Sequence, residues 1–149
     1  MRSPRRRSER GTALVEVTWL SILLLVPLVY VMLAVFDVQR SAFAVDAATR
    51  AAGRAYSLAP TDADGAARAR AAAEVALEDQ GLHLADGHLS LTCEPDPRAC
   101  LRPGSRVRVR MVVDVRLPLV PAALGGDAPR IRVEGEHLVP YGTFREDRS

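Results

Sequence analysis

The chain of 149 residues contains no lysine, and all 20 of its basic residues are arginine. With alanine so abundant, this is the mark of a GC-rich coding bias, and arginine richness alone carries no inference of nucleic-acid binding. The 18 acidic residues bring the formal net charge to only +2, and aromatics make up 5% of the chain. A nucleic-acid partner is therefore not expected. Catalytic signatures are missing too: there is no Gly-x-Ser-x-Gly, no phosphate-binding loop and no His-Glu-x-x-His. The three histidines, His83, His88 and His137, stand apart. No enzyme, no catalytic residue, no cofactor and no metal site is expected.

One stretch lacks charge altogether. Val17 to Phe36, VTWLSILLLVPLVYVMLAVF, is twenty residues without Asp, Glu or Arg. As a helix it rises ~30 Å, the thickness of a bilayer's hydrocarbon core. Residues 1–11 carry Arg2, Arg5, Arg6, Arg7 and Arg10 against Glu9, whereas the remainder is slightly acidic. Arginine on the short side predicts a cytoplasmic N-terminus and an exported C-terminal part. A buried helix of a soluble protein fits poorly, because nothing else in the chain is large enough to surround it. A cleaved secretory signal fits poorly as well. Its apolar core should run ~7–15 residues, and the one small-x-small site, Ala42-Phe43-Ala44, lies beyond Asp37 and Arg40. The pair Arg5-Arg6 is followed by Ser8-Glu9 rather than by an apolar start.

Glu16 stands at the edge of this run, five positions after Gly11. A carboxylate there is costly in lipid, and a neutral residue would insert more easily. An Arg-rich leader, Gly11, Thr12-Ala13-Leu14-Val15-Glu16 and then an apolar helix together resemble the class III signal of type IV pilins and pseudopilins. More closely, ERGTALVEVTWLSILLLVPLVYVMLAVFDVQR, from Glu9 to Arg40, resembles the opening block of the TadE-like family of minor pseudopilins of tight-adherence pili. The resemblance covers a quarter of the chain. It implies that a prepilin peptidase cuts between Gly11 and Thr12 on the cytoplasmic side. It further implies that Glu16 meets the free N-terminal ammonium of a neighbouring subunit and sets helix register. The implied partners are the peptidase, the lipid bilayer and other pilin and pseudopilin subunits. The implied location is the cell membrane, single-pass, with incorporation in a surface pilus. Val17 departs from the pattern, since major pilins of this system often have an aromatic there; this favours a minor subunit. Read without the resemblance, Glu16 is an acid in a first helical turn, where the helix dipole suits it. The chain is then a permanently membrane-anchored extracytoplasmic binding or sensor protein.

The expected organisation is a basic cytoplasmic leader (1–11), a membrane-crossing part of the first helix (12–37) and an extracytoplasmic domain (38–149). That first helix is expected to continue past Asp37 to Ser57. Pro27 interrupts one backbone hydrogen bond, which membrane helices tolerate. Phe36, Phe43, Ala47, Ala51 and Ala55 mark an apolar face, while Asp46, Arg50 and Arg54 follow at four-residue steps on another. A second helix is expected over Ala66–Gln80, opened by Thr61 and Asp64 as an approximate capping box and stopped by Gly81. Its alanine-rich face suits packing against the first.

The last third changes period from 3.6 to 2. In SRVRVRMVVDVRLPL, Val107, Val109, Met111, Val113, Val115 and Leu117 face one way and Arg106, Arg108, Arg110, Asp114 and Arg116 the other, with Val112 the exception. HLSLTC and RIRVEGEHLV alternate likewise, the latter with Ile131 and Val133 inward. The fold class is α+β, with a three-stranded antiparallel sheet in hairpin order and arginines opposite Glu134 and Glu136. That arginine stripe reads as a solvated face, since the balancing acids are present. Cys93 and Cys100 flank EPDPRA, a six-residue loop with Pro95 and Pro97, on the exported side where disulfides persist. A disulfide between them is expected. Zinc held by His83, His88, Cys93 and Cys100 has the right elements, but the spacing matches no zinc pattern.

Overall fold

A computed structural model describes residues 9–116 and 130–148. Its elements in order are α1 (Glu9–Ser57), α2 (Asp62–Glu78), a short 3-10 turn (Leu84–Asp86), β1 (Gly87–Glu94), β2 (Arg106–Arg116) and β3 (Arg130–Pro140). The fold is α+β, as expected: a long apolar N-terminal helix, a second helix and a three-stranded antiparallel sheet. The arginines of the leader before Glu9, together with Leu117, lie outside the described residues. The chain divides into two units, Met1–Phe36 and Asp37–Ser149.

In the first unit α1 passes through Pro27 without losing its helical assignment. Every described residue from Ala13 to Val29 is exposed. Ala13–Ser57 contains an eighteen-residue window apolar enough to cross a membrane, none of it buried. Leu14, Trp19, Leu23 and Leu24 each expose about two-thirds of their surface or more. A continuous apolar surface of this size is not what a soluble monomer presents to water.

In the second unit the sheet has order β1-β2-β3 with both pairings antiparallel. Its register sets Leu91 opposite Val109 and Cys93 opposite Val107, and on the other side Val133 opposite Val113 and Gly135 opposite Met111. The period-two reading of β2 is borne out: Val107, Val109, Met111, Val113 and Val115 are buried. Burying this row removes about 25 cal/mol of hydration penalty per Å² of apolar surface. The reading of β3 is half right. Val133 is buried, but Ile131, on the same face and paired with Val115, is 37% exposed as the second residue of β3, at the end of the sheet.

The buried face of α1 is Ser41, Ala44, Val45, Ala48, Thr49, Ala52, Gly53 and Tyr56, at helical spacing. This corrects the face expected from sequence: Phe43 is 73% exposed, and Ala47 lies outside the core with it. Alanine occurs on both stripes, so apolarity could not choose between them. The close approach of helix to sheet chose the stripe with the small side chains. A Cβ on Gly135 would lie 2.8 Å from Val45 Cγ1, and a Cβ on Gly53 would overlap Val139. From Val45 to Gly53 the helix advances ~12 Å and from Gly135 to Val139 the strand advances ~13 Å, so α1 and β3 run in the same direction. The buried hydroxyls are satisfied within the helix: Ser41 Oγ donates to the Asp37 carbonyl (2.7 Å) and Thr49 Oγ1 to that of Asp46 (2.9 Å). Asp46 and Arg50 form the expected ion pair across one turn.

Helix α2 begins at Asp62, opened by Thr61 as expected: Thr61 Oγ1 accepts from Asp64 N–H at 3.1 Å. It ends at Glu78. Gly81, at φ +73°, follows, and Leu82 N–H closes back onto the Leu77 carbonyl at 3.0 Å. Gly65, Ala69, Ala73 and Leu77 are its buried face. Gly65 lies under the Tyr56 ring of α1, where an added Cβ would sit 3.1 Å from the ring carbons. The chain's last described segment closes the far end of α1: Arg145 Nη1 donates to the Ser57 carbonyl (2.6 Å) and Arg148 Nη1 to that of Ala59 (3.4 Å). Cationic donors at a helix C-terminus satisfy its orphan carbonyls and suit its dipole.

Candidate assembly site

Gly11, Thr12 and Glu16 all lie in the first two turns of α1. Position 16 is one turn beyond position 12, ~6 Å along the axis. Glu16 is exposed, and among the described residues no hydrogen bond or ion pair reaches it. Its neighbours are Val15 and Val17, both more than half exposed. One turn on, Thr18 turns inward on its own helix, with Oγ1 donating to the Leu14 carbonyl at 2.8 Å. Glu16 is the sole charged side chain between Arg10 and Asp37. An unpaired carboxylate on an apolar segment is costly in lipid unless a cation meets it, although near a helix N-terminus the dipole offsets part of that cost.

Cys93 and Cys100 lie in the other unit. Their Cα atoms are 5.2 Å apart and the sulfurs are bridged. The expected six-residue turn between strands is corrected here. The connection from β1 to β2 spans 95–105, and Cys93 pairs in the ladder with Val107. The bridge therefore closes a loop inside a longer connection. Both sulfurs are in the core, and Ser105 Oγ, also buried, donates to the Cys100 carbonyl. Among the described residues no three His, Cys, Asp or Glu side chains converge on a point where a metal ion could sit.

The outer face of the sheet carries the arginine stripe, and the expected cross-strand pairs are present. Arg110 Nη2 reaches Glu134 at 2.8 Å, Arg108 reaches Glu94 at 2.9 Å and also pairs with Glu136, and Arg132 reaches Asp114 at 3.4 Å. These hydrogen bonds raise the Arg108 and Arg110 guanidinium pKa values above the ordinary arginine value. Exposed pairs of this kind contribute little each and chiefly fix strand register. Inside, burial pushes the Tyr56 phenol well above its ordinary range, and Asp62, which accepts its hydrogen bond at 3.1 Å, adds to the shift.

Sequence reading missed Tyr56, Gly65 and Gly135 as contact points, and Arg145 and Arg148 as closers of α1. No local pattern marks them, because each acts on a residue distant in sequence or across an element boundary. No family model, no curated protein and no solved structure matches the chain.

Proposed function

We propose that the chain is a pilus assembly protein, a minor pseudopilin of the TadE-like kind, anchored by α1 with its N-terminus in the cytoplasm and residues from about 38 onward outside. The observation that carries this reading is Glu16: one carboxylate, unpartnered among the described residues, on an exposed apolar helix, five positions after Gly11. Hydrolysis of the Gly11–Thr12 bond by a prepilin peptidase removes the basic leader and frees the Thr12 α-amine. That ammonium, on a neighbouring subunit, then offsets the cost of Glu16 when the helices are in register. The partners are other pilin and pseudopilin helices, and the exposed apolar face of α1 is the surface they share with lipid. Residues 38–149 supply the contacts that distinguish this subunit from others.

A second reading, a permanently anchored extracytoplasmic binding or sensor protein, has one observation in its favour. Helix α1 is continuous through Gly11 and Thr12, and a peptidase must unwind a helix before cutting it. Gly11 lowers that barrier, being about 1 kcal/mol less favourable in a helix than alanine.

Two variants separate the readings. Gly11→Val should block processing and leave Met1 or its neighbours as the N-terminus of the membrane-recovered protein. Glu16→Gln should still be processed to Thr12, stay in the membrane, and lose cross-linking to partner pilins. Wild-type protein with an intact leader, or Glu16→Gln cross-linking at the wild-type level, would favour the plain anchor.

A further inference from the structure

One end of the sheet carries arginines that the pairing scheme leaves over. Arg116 and Arg130 are the last residue of β2 and the first of β3, and they stand directly opposite each other in the ladder. Like charges in that position are destabilising. Both are exposed, and among the described residues neither has an ion-pair partner. Their neighbours are already engaged: Asp114 with Arg132 at 3.4 Å, and Asp37 with Arg40 at 3.9 Å. Among the described residues Arg40, Arg116, Arg130 and Arg132 thus stand beside two carboxylates, Asp37 and Asp114.

Two concavities meet at this end. A 380 Å³ hollow is lined by residues including Asp37, Arg40, Ser41, Asp114 and Arg116. A 540 Å³ hollow on the sheet's outer face takes in Arg110, Arg116, Arg130 and Arg132 beside Asp114 and Glu134. Arg116 and Asp114 belong to both. Asp37 is covalently the next residue after Phe36, where the charge-free run ends. The unpaired guanidinium groups therefore gather at the end of the unit where the chain leaves the apolar segment. Among the described residues the carboxylates lining these hollows, Asp37, Asp114 and Glu134, are each already paired with another arginine, and an anionic bilayer surface can supply the charge that Arg116 and Arg130 lack.

We propose that Arg116 and Arg130, supported by Arg40 and Arg132, dock on the phosphate headgroups of anionic phospholipid in the outer leaflet. The proposal rests on the membrane anchor argued above. A phosphate between Arg116 and Arg130 relieves their mutual repulsion, and guanidinium forks suit phosphate oxygens.

The test uses the full chain in detergent micelles, titrated with phosphatidylglycerol or, separately, phosphatidylcholine. Retained lipids are counted by native mass spectrometry. Wild type should retain phosphatidylglycerol preferentially. The double variant Arg116→Gln/Arg130→Gln should lose roughly thirty-fold of that preference, the effect of two basic groups at an anionic surface. The double lysine variant should keep most of it. Arg106→Gln is the control: also unpaired among the described residues, it lies at the other end of β2, ~33 Å away, and should change nothing. The N-terminal leader contributes equally to all four proteins. Circular dichroism should show the glutamine variant no less stable than wild type, since a like-charge pair is removed. An unchanged preference in the glutamine variant, or an equal loss in Arg106→Gln, would overturn the proposal. Carbonate extraction of cell membranes reads the anchor separately. Wild type released by carbonate would bring down both readings, whereas retained protein with unchanged lipid preference would bring down only this one.

Discussion

Gly135→Ala isolates the contact that seats α1 on the sheet. The added Cβ would stand 2.8 Å from Val45 Cγ1, about an ångström inside a normal carbon–carbon contact. Val45 is fully buried and cannot swing away, so the core must shift. Overpacking of this kind costs about 1–3 kcal/mol. Alanine is preferred to glycine in a strand by ~0.5–1 kcal/mol, which leaves a net loss of about 1–2 kcal/mol. Val45→Ala alone removes two buried methyl groups and leaves a cavity, a loss of about 2–3 kcal/mol. In the double variant the new Cβ occupies part of that space. Its remaining contacts, the Val45 carbonyl carbon and oxygen at 3.4 Å, are ordinary. The double variant should then be no less stable than Val45→Ala by itself, a coupling of about 1–2 kcal/mol. The assay is a urea titration of the full chain in micelles, followed by far-ultraviolet circular dichroism, comparing midpoints at constant slope. Losses that add to within ~0.5 kcal/mol would mean that Gly135 and Val45 do not touch, and the placement of α1 along β3 would be wrong.

Three further outcomes are expected. Replacing Cys93 and Cys100 with serine should lower stability by about 2–3 kcal/mol for so short a loop; intact mass should show the wild-type pair two hydrogens lighter than the dithiol, and thiols that alkylate without reductant would refute the bridge. A phosphatase fused after Ser149 should be active and a cytoplasm-only reporter silent, and the reverse pattern would remove the pilin reading. Tyr56 should make the fold alkali-sensitive. Its folded pKa is raised, so its contribution is fully present below the ordinary tyrosine value of ~10 and is lost as pH rises beyond it, by up to about 1.4 kcal/mol per pH unit. With no lysine in the chain, no ammonium side chain titrates in that window. Tyr56→Phe should flatten the decline in urea midpoint between pH 9 and 11, and parallel declines would refute the assignment.

The sequence by itself determined those features whose cause is local. The charge-free run predicts the apolar helix because composition alone decides it. Thr61 and Gly81 bracket α2 because caps act within one turn. The alternation of β2, broken only by Val112, names its buried row because period two leaves one choice of face. The ion pairs of Arg108 and Arg110 with Glu134 and Glu136 follow from that alternation once hairpin order is assumed. Tertiary structure alone decided which stripe of α1 is buried, since alanine populates both and only the glycines of β3 and α1 admit the close crossing. It also decided that Ile131 stays half open near a sheet end, and that Arg145 and Arg148 return to close α1 from nearly ninety residues away. The unpaired Arg116 and Arg130 belong to the same group. Each is an ordinary strand arginine in the sequence, and only the register that sets them face to face, at the end of the unit next to Asp37, leaves two positive charges without a partner among the described residues.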